Sequence, residues 1–159
     1  MDSLRIPRIT EQELKEGLLK AHTSPRRRHP HILHKPGDEF NQVFNFLTRH
    51  SYMQPHLHPG DEKIEEIFLV KGRVAVIYFD NFGSVVNIIH LKKEDVDSVK
   101  VPAFTWHTYV MLTDEVVTYE TMLGKYDLAT WKQLAAWAPE ENMEVSTEYL
   151  NVLRGKVEA

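Results

Sequence analysis

The chain has 159 residues, 42% of them hydrophobic and 26% charged, and a formal net charge of −4. That length suits one domain with a sizeable core, and the mildly acidic balance excludes a general attraction to nucleic acid or to anionic membrane. With no cysteine, disulfides and thiolate metal sites are excluded, so any metal must be held by nitrogen and oxygen, for which nine histidines are available.

Asp2, Arg5, Arg8, Glu11 and Glu13 interrupt the N-terminal stretch, so no signal-peptide pattern is read there. No stretch approaches the roughly eighteen apolar residues of a membrane span. The expected location is cytoplasmic, with no membrane and no nucleic-acid partner. Thr10 with Glu13 is a capping-box signature, and Leu14 and Leu18 give the next stretch a helical spacing. Gly17 weakens this helix, and Ser24-Pro25 ends it. Arg26-Arg27-Arg28-His29-Pro30-His31 is the one concentrated basic run. Taken alone it reads as a solvated surface segment; the lack of interleaved aromatics disfavours a nucleic-acid patch.

The sheet is expected to begin at His31-Ile-Leu-His34, with a turn at Lys35–Asp38. Phe40 to Leu47 alternates, setting Phe40, Gln42, Phe44 and Phe46 on one face. Glu65 to Tyr78 is dense in β-formers and bends at Gly72. Asp80–Gly83 reads as a hairpin turn with its return strand over Ser84–Leu91. His107–Leu112 and Glu115–Met122 form the last pair of strands. Short strands with turn signals at such intervals predict an all-β sandwich or barrel. From Asp127 the period changes; Leu128–Trp137 carries Leu, Ala and Trp at mixed helical spacing, and Ser146–Val157 reads as a terminal helix.

The chemistry concentrates in Tyr52–Gly72. Residues two apart on a strand share a face, so His56 and His58 project side by side. Glu65, entering on the next strand, supplies a carboxylate, and Glu66 is its rival. His107 in Pro102-Ala-Phe-Thr-Trp-His is a fourth candidate. Three imidazoles and a carboxylate suit a transition ion such as iron, zinc, manganese, nickel or copper.

His-x-His, then Glu65, then six residues and Gly72, with a later Pro-x-x-x-Trp-His, resembles the two cupin motifs. Ser24-Pro-Arg-Arg-Arg28, Ser51-Tyr52 with Pro55-His-Leu-His58, Thr105-Trp-His-Thr108, and Tyr126-Asp127 leading to Ala136-Trp-Ala-Pro139 narrow it to the WbuC-type cupin-fold metalloproteins. The likeness runs from about Thr10 to about Glu141. It departs from the general cupin pattern in its longer spacing between His58 and Glu65 and in having Phe104 where a glycine is usual.

The resemblance implies an all-β cupin (jelly-roll-like) barrel with a short N-terminal helix and C-terminal helices. The whole chain, 1–159, is then one domain, with an N-terminal helical segment (1–25), a barrel (30–123) and a C-terminal helical segment (124–159). It implies one divalent transition metal ion on His56, His58, Glu65 and His107. The substrate would be a small molecule, an anionic sugar derivative or sugar nucleotide, held by Arg26, Arg28 and Gln42. Glu66 or a tyrosine would move a proton in an isomerase- or epimerase-like reaction. An iron-dependent dioxygenase and a non-catalytic metal- or ligand-binding module are the alternatives, and a homodimer is expected.

Overall fold

The computed structural model describes residues 6–159, so the first five residues of the expected N-terminal segment 1–25 lie outside the described residues. Helix α1 (Glu11–Thr23) starts with its capping box: Glu13 N–H donates to Thr10 Oγ1 at 3.1 Å and Thr10 N–H to Glu13 Oε1 at 3.3 Å. It stops at extended Ser24, before Pro25. Gly17 lies close against the sheet, because a Cβ there would meet the Phe46 ring. Helix propensity alone would make Gly17→Ala stabilising by about 1 kcal/mol. Overpacking against Phe46 instead makes it destabilising, by about 1–3 kcal/mol in urea unfolding. A more stable variant would show that the ring moves aside freely.

Ten strands follow: β1 (Arg28–Ile32), β2 (Phe40–Thr48), β3 (His56–Leu57), β4 (Glu65–Lys71), β5 (Arg73–Phe79), β6 (Val85–Lys92), β7 (Ser98–Val101), β8 (Trp106–Met111), β9 (Glu115–Leu123) and β10 (Gln133–Leu134). The sheet thus begins at Arg28 rather than His31, which draws the last arginine of the basic run into a strand. Pro30 is tolerated there because β1 is an edge. Gly72 between β4 and β5 has φ +83°, and a Cβ there would strike the Glu115 carbonyl.

The strands form two antiparallel five-stranded sheets, ordered β1-β2-β9-β4-β7 and β10-β3-β8-β5-β6. Their inner faces share one apolar core, in which Leu47, Ile67, Leu69 and Val116 of the first sheet meet Val74, Val76, Tyr109 and Met111 of the second. Helix α1 covers the outer face of the first sheet through Leu18 and Ala21 on Phe44 and Phe46. Helix α2 (Glu144–Glu158) covers the second through Leu150, Leu153 and Val157 on Ala75, Ile77 and Val110. This is the all-β, jelly-roll-like cupin architecture with helical ends. No strand pairing among the described residues joins the sheets, so they are packed face to face and not closed into a barrel.

One stretch departs from expectation. Residues 128–137 are not helical but turns around the short β10. Their two tryptophans serve separate tertiary contacts: Trp131 lies beside the His58 ring, and Trp137 packs on Phe79 and Trp106. Backbone pairing goes to β3 and to Pro55, whose carbonyl accepts from Ala135 N–H at 2.8 Å. Among the described residues no helix is long and apolar enough to cross a membrane.

Candidate metal centre

His56, His58, Glu65 and His107 come together from both sheets. On the second sheet β3 pairs with β8 so that His56 stands opposite His107, and His58 follows two residues on. Glu65 opens β4 on the facing sheet, and the loop Pro59 to Ile64 makes the crossing, which accounts for the long spacing. One ligand atom from each residue lies within 4.8 Å of all the others, and all four residues are buried. Two bonds of about 2.1 Å span at most about 4.2 Å, so small side-chain adjustments close the set on one ion.

Each imidazole is oriented from behind. The Nδ1–H groups donate to backbone carbonyls: His56 to Gln54 at 3.0 Å, His58 to Trp131 at 2.9 Å, and His107 to Thr105 at 2.8 Å. A carbonyl only accepts, so the proton sits on Nδ1 and the Nε2 lone pair faces the centre. Burial first, then His107, Lys132 and His58, keep the His56 imidazole well below its ordinary pKa, hence neutral. Nε2 of His58 and of His107 lie 3.3 and 3.1 Å from the same oxygen, Glu65 Oε2. For neutral rings these are contacts between lone pairs, which a cation between them resolves. The donor set therefore fits a metal ion by its own chemistry.

Behind Glu65 sit Tyr109 and Glu120, which the sequence pattern did not disclose. Tyr109 OH donates to Glu65 Oε1 at 2.8 Å, leaving Oε2 for the centre. Burial and the Glu65 charge push the Tyr109 phenol well up, so it remains a donor. Glu120, on β9 next to β4, is buried beside Glu65; Thr118 Oγ1 donates to it at 2.8 Å, and Asn45 Nδ2 donates to the same oxygen. Burial and neighbouring Glu65 push the Glu120 carboxyl well above its usual range. Burial opposes the charge on Glu65, but a hydrogen bond from Glu120 and the nearby imidazoles of His107 and His58 hold that carboxyl well below its usual range. A carboxyl raised by folding adds stability below its unfolded pKa and loses it as pH rises through the folded value. In metal-free protein Glu120 therefore weakens the fold as pH rises, against the opposite contribution of His56 below its ordinary value of 6.5, and Glu120→Gln is expected to make the slope of urea-unfolding stability against pH more positive. An identical slope in the variant would assign it elsewhere.

His56, His58 and Glu65 of the cluster line a cavity of about 320 Å³. Arg26 and Arg28 both line it, with Nη2 of the buried Arg28 2.5 Å from Glu141 Oε1 and Nε of Arg26 3.0 Å from Oε2. Gln42 does not line it; its phase of β2 faces α1, where Gln42 Oε1 accepts from Tyr119 OH at 2.8 Å. The opposite phase, Asn41, Val43 and Asn45, lines the cavity instead. Glu66 points away from Glu65, lies 3.7 Å from Lys100 Nζ, and is not part of the lining. Trp106 also turns outward, donating to Asn81.

Fold and site together define a cupin-fold protein with a buried three-histidine, one-glutamate metal-binding cluster. Solved structures carry the same fold. The capsular polysaccharide assembling protein CapF from Staphylococcus aureus matches with a TM-score of 0.52 at 14% identity, over 67% of this chain and 31% of that one. The DMSP lyase DddQ from Ruegeria pomeroyi matches with a TM-score of 0.54 at 17% identity, over 71% and 54%. The chain thus spans between about a third and about half the length of these relatives. No curated protein matches it in sequence. By its residues 9–91 the chain belongs to the family described as Domain of unknown function (DUF6016).

Proposed function

We propose that this chain is a mononuclear, metal-dependent cupin enzyme of WbuC type. It would act on a carbohydrate or sugar-nucleotide intermediate by an isomerase- or epimerase-like proton transfer. The observation that carries this reading is the set of three carbonyl-anchored imidazoles and Glu65, of which His56, His58 and Glu65 line an open cavity. A cluster serving structure alone needs no cavity above it. The carbohydrate part is supported by the fold shared with a capsular polysaccharide assembling protein, which is an analogy of fold.

When bound, the metal supplies polarisation of a substrate carbonyl or hydroxyl oxygen. Arg26 and Arg28 in the cavity lining favour an anionic group. Tyr109 keeps Glu65 turned to the cluster, and Glu120 is the carboxyl in the lining that can hold or release a proton. The test is elemental analysis of untagged protein beside a His56→Ala/His107→Ala double variant, followed by turnover assays with sugar nucleotides. About one equivalent of one transition metal in the parent, lost in the variant together with turnover, supports the reading. A parent that neither contains nor takes up metal would sink it. Iron with substrate-dependent oxygen uptake would replace it by the dioxygenase alternative.

A further inference from the structure

The cavity wall carries a cation with no partner. Lys132 lines the same cavity as the cluster, and no hydrogen bond or ion pair holds its ammonium among the described residues. Backbone pairing fixes its place. Strand β10 sets Gln133 opposite Leu57 and Leu134 opposite His56. Carried one residue further, that register puts Lys132 across from His58, and opposite residues of an antiparallel pair project from the same face. The neighbouring Trp131 carbonyl accepts His58 Nδ1–H, which pins this segment to a ligand of the cluster. Lys132 is exposed, as a group that meets an incoming ligand has to be.

The charges around the cavity do not close once a metal is present. The cations lining it are Arg26, Arg28 and Lys132; the carboxylates are Glu65 and Glu120 in the lining and Glu141 behind the two arginines. With every carboxylate ionised, three face three, so a divalent ion leaves an excess of two positive charges. In a partly closed cavity such an excess favours an anion over water. Arg26 and Arg28 share Glu141, whereas Lys132 is uncommitted. The volume, at the low end for small-molecule sites, encloses a group of monosaccharide size rather than a whole nucleotide.

We propose that the site takes a small oxyanion-bearing substrate whose phosphate or carboxylate is selected by Lys132, with Arg28 and Arg26 behind it, while its other oxygens face the metal-binding cluster. This rests on the metal-dependent reading above and names its substrate class. The test uses the full chain loaded with cobalt(II), whose visible absorption reports occupancy, titrated calorimetrically with inorganic phosphate and with glycerol as a neutral control. Phosphate is expected to bind and glycerol not. Lys132→Gln should weaken phosphate about tenfold or more, Lys132→Arg much less, with the cobalt spectrum and Tm unchanged in both. A parent that binds cobalt but prefers glycerol, or ignores phosphate, overturns this inference alone. So does a Lys132→Gln variant that matches the parent. A parent that binds no cobalt overturns the metal-dependent reading and this inference with it.

Discussion

Replacing Glu65 by alanine should weaken zinc binding, measured by chelator competition, at least about a hundredfold, while Glu66→Ala leaves it within about threefold of the parent. Removing an outer partner of a metal ligand already costs about ten- to a hundredfold, so loss of the carboxylate itself starts where that range ends. The two glutamates are neighbours in sequence and equal in charge, which makes the pair an internal control. What separates them is strand phase: Glu65 is 6% exposed and meets His58, His107 and Tyr109, whereas Glu66 faces Lys100. Tyr109→Phe, which removes only the hydroxyl that turns Glu65, should fall between them at about tenfold. Equal losses from Glu65→Ala and Glu66→Ala would remove Glu65 from the ligand set.

The second large effect is on stability. Glu141→Ala should destabilise by about 3 kcal/mol, because it leaves the Arg28 guanidinium buried without its counterion. For a chain of this length that lowers Tm by about 6–12 °C. Arg28 is 8% exposed, and its other donors reach only Ser51 Oγ at 3.4 Å and the Tyr52 carbonyl at 3.2 Å. Burial pushes its pKa down against the pull of Glu141. Arg28→Met removes the charge with its desolvation cost and leaves Glu141 paired with the more exposed Arg26, so it should cost clearly less than Glu141→Ala. Equal losses would mean that the contact acts through packing rather than charge.

Much of the architecture was legible because local rules agreed with it. Thr10 with Glu13, the Gly72 bend and the alternation in β2, β4 and β5 each give their element from neighbouring residues alone. His-x-His was legible for the same reason, since strand alternation needs no partner to place two imidazoles on one side. What escaped depends on contacts between residues far apart in sequence. Alternation groups Gln42 with Phe44 and Phe46 but does not say which face meets the helix and which the cavity; α1 decides that. Glu120 becomes visible only when β9 is laid beside β4, although a carboxylate in phase with Val116 and Thr118 was the available signal. Residues 128–137 misled because the β10 backbone answers to β3 and the two tryptophans to His58 and Phe79 instead of to one another. The resemblance to cupin motifs located the four cluster residues in the sequence, but not Lys132, whose place depends on that same stretch.

The carbonyl of Trp131 that orients His58 bears on the order in which the centre matures. During synthesis, every side chain of the cluster has been added by residue 107, yet the group that fixes His58 comes 24 residues later and the clasp at Glu141 34 residues later. The nascent chain therefore acquires its coordinating atoms before it acquires their alignment. Docking of the β10 segment on β3 is a non-local step of the slow-forming kind. Pre-organisation of the centre thus waits on a segment synthesised after all four of its side chains.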